Sequence, residues 1–129
     1  MLFCKPETKK EAISTLFPDE PLRTNGTYGA YTALDGDTPV GKALVLTHGT
    51  RCTVLRLAAA KNDPETRELL LRACLHFAAN RGAYFAQCRL LDLEDTLLSL
   101  GFREQDGEFS GDIPTLLTGS CGHCAGHGG

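Results

Sequence analysis

Several things are missing from this sequence, and each absence excludes a class of function. There is no basic excess: the net charge is −3 and the pI near 5.8, so the electrostatic footprint of a nucleic-acid binder is lacking. No apolar run approaches the length of a membrane span, and Met1-Leu-Phe-Cys-Lys-Pro6 lacks the apolar centre of a signal peptide. The expectation is a cytoplasmic protein with neither nucleic acid nor membrane as partner. No segment repeats, no phosphate-binding P-loop occurs, and linear spacing supports no serine–histidine–aspartate arrangement.

What is present suits one domain. At 129 residues and 13.9 kDa, with 42% hydrophobic and 22% charged residues, the chain can bury one real core but not two. The division expected is a single domain over 1–118 and a glycine-, cysteine- and histidine-rich flexible tail over 119–129. Six cysteines is a high count. Cys52, Cys74 and Cys88 sit in apolar segments, where a reducing compartment leaves them as small buried thiols.

The chain is organised around residues 52–82: an apolar strand to Ala60, a turn at Lys61-Asn-Asp-Pro64, and a long helix over 64–81. Asp63 suits the N-cap, Pro64 the first helical position and Gly82 the left-handed position after the end. Leu70, Ala73, Cys74, Phe77 and Ala78 form its apolar face, widened by Leu69, Leu71 and Leu75. Before it come a short strand at 2–5 and a helix through Ala12, Ile13, Leu16 and Phe17 that Pro18 ends. A hairpin comes next, Tyr28–Leu34 and Val40–Thr47, turning at Asp35-Gly36. After the long helix, Ala83–Leu90 is expected as a strand parallel to the one before it. A helix over 93–100 capped by Asp92, a glycine stop at Gly101, and weak strands at 103–108 and 113–117 complete the order. The fold class is α/β (α+β), a mixed, mostly antiparallel twisted sheet with helices on both faces.

Over roughly residues 26–118 this chain resembles the GNAT superfamily of N-acetyltransferases. The resemblance rests on the Asp35-Gly36 hairpin, on the strand and long helix ending Phe77-Ala-Ala-Asn-Arg-Gly-Ala83, and on Leu100-Gly101-Phe102. It implies acyl transfer from acetyl-CoA to a small-molecule or peptide amine. By the same resemblance the backbone of Leu57 and Ala59 would meet the pantetheine arm. The pyrophosphate would lie at the turn holding Asn62, Glu65 and Arg67. A homodimer is compatible with the exposed edges of such a sheet.

The residues in those places depart from the family pattern. Its (Gln/Arg)-x-x-Gly-x-(Gly/Ala) signature falls on Asn62-Asp-Pro-Glu65-Thr-Arg67, which has neither glycine. Pro64 lacks an amide, Asp63 can fill free amides as a cap, and Glu65 repels a phosphate. Leu97 stands where the family's general-acid tyrosine usually does and cannot deliver a proton. No catalytic residue can be assigned. The alternative is a non-catalytic GNAT-fold binding or interaction protein.

Other motifs leave two readings each. Cys121-Gly-His-Cys124 with His127 or His123 could hold zinc, needing a fourth ligand such as Cys4 or a second chain, or could be an ordinary tail. The same tetrapeptide could be redox-active, but Ala-Gly-His-Gly-Gly after it cannot make the helix such a site needs. His48 and His76 read as a turn and a boundary residue, or as bases. Glu104, Asp106 and Glu108 read as a solvated acidic hairpin or as a base for an amine, and Tyr31 as a core residue or a cleft wall.

Overall fold

The structure is a computed structural model and describes residues 1–22 and 25–118. The elements are β1 (Leu2–Glu7), α1 (Lys10–Leu16), β2 (Thr27–Asp35), β3 (Thr38–His48), β4 (Arg51–Ala59), α2 (Pro64–Ala79), β5 (Phe85–Cys88), a 3-10 turn (Leu91–Leu93), α3 (Glu94–Leu100), β6 (Arg103–Gln105) and β7 (Glu108–Asp112). The strands form one sheet in the order β1-β2-β3-β4-β5-β7-β6. Every pairing is antiparallel except β4 with β5.

Local chemistry accounts for the first half. Gly36 takes the left-handed conformation (φ 65°) that the β2–β3 hairpin requires. Alternation then sorts β2, β3 and β4 onto two faces. Ala33, Ala43, Val45, Cys52 and Val54 pack on one side against Leu70, Leu71, Cys74, Leu75 and Phe77 of α2. On the other side Ala30 and Leu44 meet Ile13 of α1 and Phe17 at its C-terminal end. Helices therefore cover both faces, as expected. Gly29 and Gly41 let α2 approach closely: an added Cβ would lie 2.5 Å from the Phe77 ring at Gly29 and 3.0 Å from the Leu70 side chain at Gly41.

The ends of α2 obey their residues. Asp63 Oδ1 accepts the Thr66 amide at 3.2 Å and Pro64 occupies the first turn. The helix stops at Ala79, two residues short of the expected 81. Gly82 (φ 91°) allows the Ala83 amide to donate to the Ala78 carbonyl, a Schellman closure that draws Asn80 and Arg81 into the turn. Gly101 (φ 112°) closes α3 likewise, with the Phe102 amide donating to Leu97.

Three expectations need correction. The strand expected over Ala83–Leu90 is confined to Phe85–Cys88, because β4 offers it partners only over Arg51–Val54. Asp92 does not cap the third helix. It lies inside the 3-10 turn, and the N-cap of α3 is Leu93, with no side-chain bond. Residues 113–118 are helical rather than a strand. There Asp112 Oδ2 accepts the Thr115 amide at 3.1 Å, and Pro114 lies in the first turn. The bonds from Thr115 hold the Asp112 carboxyl below its usual range.

Candidate functional site: the fork between β4 and β5

The parallel pair is short. Arg51–Val54 of β4 face Phe85–Cys88 of β5. β4 then continues to Ala59 while the chain after Cys88 turns away toward the 3-10 turn. From Leu55 onward, among the described residues, no strand pairs with the β5-side edge of β4, and the sheet forks. On the opposite edge Val45 faces Val54 and Leu44 faces Arg56, so Leu55 is the extra residue of a β-bulge. Such a bulge bends its strand and re-aims the side chains beyond it. The fork opens toward the start of α2, which comes after β4 and a turn closed by the Asp63 amide donating to Ala60 at 3.1 Å.

A helix start attracts anions through its free amides and the positive end of its dipole. Here those amides are largely used. Pro64 has none. The Thr66 amide goes to Asp63 Oδ1, and the Thr66 hydroxyl donates to Asp63 Oδ2 at 2.5 Å. The Arg67 amide goes to the Asp63 carbonyl at 3.3 Å. Glu65, whose amide lies outside these bonds, is exposed beside it with its own carboxylate. A cavity of about 510 Å³ adjoins this turn, lined by Leu2, Pro64, Glu65, Glu68, Leu69 and Arg72. The cation in that lining, Arg72, is paired with Glu68 at 2.9 Å. Asp63, Glu65 and Glu68 together make this a poor seat for a phosphate.

The five residues expected to hold the cofactor are distributed unevenly. Leu57 and Ala59 lie on the β4 overhang, with the Leu57 side chain in the core. Asn62 and Glu65 are exposed at the turn. Arg67 turns inward: it is 7% exposed, and Nη1 donates to the Asp92 carbonyl at 3.0 Å, with Nη2 4.0 Å from Asp92 Oδ2. Its Nε is buried without a hydrogen-bond partner. Sequence reasoning had no means of finding this contact, since nothing in the spacing of positions 67 and 92 announces it.

A second cavity, about 200 Å³, lies between the end of α1 and the β4 overhang and is lined in part by Phe17, Pro18, Lys42 and Arg56. Its cations are engaged. Lys42 donates to the Leu16 carbonyl at 2.6 Å and sits over the Phe17 ring, and Arg56 pairs with Glu20 at 3.0 Å.

The remaining candidates are structural or exposed. Leu97 is fully buried, packed in the α2–α3 core. Glu104 accepts the Gly107 amide, Asp106 takes the left-handed conformation of the β6–β7 turn, and Glu108 pairs with Arg89. His48 and His76 are exposed. Tyr31 is half-buried and meets Phe77 edge-on. Cys52, Cys74 and Cys88 are buried free thiols. Burial pushes Cys52 up to about 12 and Cys88 up to about 11, and raises Cys74 as well. A thiol held protonated is a poor nucleophile. Among the described residues no group of histidine, cysteine or acidic side chains could hold a metal. Cys121, Cys124 and His127 lie outside those residues. Among them too, no helix is long and apolar enough to cross a membrane.

No protein family and no curated protein matches this chain by sequence. Solved structures do match by shape. The ribosomal-protein-S18-alanine N-acetyltransferase of Escherichia coli is 11% identical with a TM-score of 0.63, over 88% of this chain and 94% of that one. An acetyltransferase of Bacillus subtilis, solved in complex with CoA, is 13% identical with a TM-score of 0.61, over 87% and 99%. The IAA acetyltransferase of Bacillus cereus gives the same identity, TM-score and coverage. Seven strands in this order and one parallel pair that forks, among the described residues, agree with these neighbours: the chain has the GNAT fold, in a divergent form in which Asp63 caps the start of α2.

Proposed function

We propose that this protein is a non-catalytic GNAT-fold binding module. Its ligand is an uncharged, extended, amide-bearing chain, lying along the β4 overhang much as an added strand would. The observation that carries this reading is the Asp63 cap. The amide and hydroxyl of Thr66 both bind the protein's own carboxylate, so a CoA pyrophosphate would have to displace it against Glu65 and Glu68. By the resemblance Leu97 stands where the family's proton donor would be, and a buried leucine cannot serve as one.

A second reading is acyl transfer from acetyl-CoA to a small-molecule or peptide amine. It is favoured by the fork, whose free β4 edge past Val54 is still present, and by the CoA-bound structural neighbour. In that case the pantetheine arm meets the backbone around Leu57 and Ala59, and the phosphates bind outside the helix start. Thermal unfolding of the reduced protein with acetyl-CoA, and separately with pantetheine, decides between the two. A ligand at a hundred times its dissociation constant stabilises by about 2.7 kcal/mol. A shift with pantetheine, not bettered by acetyl-CoA, is the result expected. A clearly larger shift with acetyl-CoA overturns the binding-module reading and calls for a screen of amines. No shift with either removes the fork as a binding place. We also propose a cytoplasmic location, a homodimer and zinc at Cys121, Cys124 and His127, tested by fractionation, sedimentation and metal analysis.

A further inference from the structure

We propose that Arg67 is a clamp that ties the two sides of the fork together and has to release for a chain to lie along the β4 overhang. The inference rests on the reading that the β4 overhang is the binding edge. Arg67 stands in the first turn of α2, the helix next after β4, and Asp92 stands in the turn next after β5. The bond from Arg67 Nη1 to the Asp92 carbonyl (3.0 Å) therefore joins the two elements flanking the mouth of the fork. A chain laid on the β4 edge from Leu55 onward has to pass between them.

The guanidinium is not placed there for packing alone. It is 7% exposed, its Nε has no acceptor, and the Asp92 carboxylate is 4.0 Å away on a half-exposed side chain. An apolar side chain of similar length would avoid burying that charge and that unpaired donor. What the arginine adds is a directed, charge-assisted bond to a backbone carbonyl on the far side of the fork.

The test is amide hydrogen exchange of the full-length protein, monitored at residues 89–93 and at the core of β3 as an internal reference. Arg67→Met keeps the apolar bulk and removes the bond; exchange at 89–93 should accelerate about tenfold or more, since a charged hydrogen bond is lost, with the β3 reference unchanged. Asp92→Ala keeps the accepting carbonyl and should change exchange less than about twofold. Arg67→Lys serves if the methionine variant does not fold, because one ammonium cannot reproduce the arginine's geometry; acceleration at 89–93 is expected again. Unchanged exchange in the arginine variant, or an equal acceleration in Asp92→Ala, overturns the clamp. Pantetheine affinity of the variant and the unmodified protein separates this inference from the reading beneath it. Faster exchange with tighter pantetheine binding supports both. Faster exchange with no pantetheine binding in either protein supports the clamp and overturns the fork as the binding place.

Discussion

Asp63 supplies the start of α2 with hydrogen-bond partners from the protein itself. Its carboxylate binds the Thr66 amide and hydroxyl, and its carbonyl binds the Arg67 amide, so the helix is finished without a ligand. Asp63→Ala is expected to destabilise the protein by about 1 kcal/mol, measured by urea unfolding, and Asp63→Asn by less. An effect below a few tenths would mean the cap is not what orders the turn. The cysteines make a second residue-scale prediction. Burial holds the Cys52 and Cys88 thiols protonated to about 12 and about 11, against an ordinary 9.0. The unfolded chain gives up these protons first, so the stability they contribute is whole below pH 9 and is lost as pH rises through 11 to 12. Each such group contributes a slope of up to about 1.4 kcal/mol per pH unit in that window. Melting temperature should fall from about pH 9 upward, more steeply than in a variant with Cys52, Cys74 and Cys88 replaced by alanine; parallel curves for the two proteins would refute the assignment.

At the scale of elements, what matters is how α2 is seated. Gly29 and Gly41 lie under it, and the Phe77 ring fills the space a Cβ at position 29 would need. Gly29→Ala should cost about 1–3 kcal/mol through overpacking, read from the denaturation midpoint at unchanged slope. A neutral result would show that Phe77 can move aside. Leu97 tests whether any trace of the family's acid site survives in α3. It is fully buried, so Leu97→Ala should cost about 2–5 kcal/mol, the response of a core residue; a change under 1 kcal/mol would place position 97 in an open site instead. Most elements are legible in the residues because their signals are local: the Asp35-Gly36 turn, the Asp63-Pro64 start of α2, and the glycine stops at Gly82 and Gly101. The helical segment 113–118 is legible too, in Asp112 and Pro114, but its apolar residues Ile113 and Leu116–Leu117 suggest a strand. Asp92 misleads for a different reason. Its sequence neighbourhood suits a cap, but a 3-10 turn over Leu91–Leu93 precedes α3 and moves the N-cap to Leu93.

For the whole molecule, the packing described closes within residues 1–118. Truncation after Thr118 should leave one cooperative unfolding transition, with the midpoint moved by no more than about 0.5 kcal/mol; a broadened or split transition would show that 119–129 belongs to the domain. Zinc that copurifies with the full chain and not with the truncated one would locate a metal at Cys121, Cys124 and His127. By itself the sequence determined the order of elements through α2, the hairpin and the caps of α2, because turn chemistry and periodicity act over a few residues. It also showed that residues 62–67 hold no glycine, and a backbone approach that only glycine permits can be read as present or absent. Only the tertiary structure decided how β4 outruns β5, where the bulge at Leu55 falls, and that Arg67 reaches Asp92 across the fork. Those features depend on strand register and on side chains meeting across elements, and register is settled by the packing of the whole sheet.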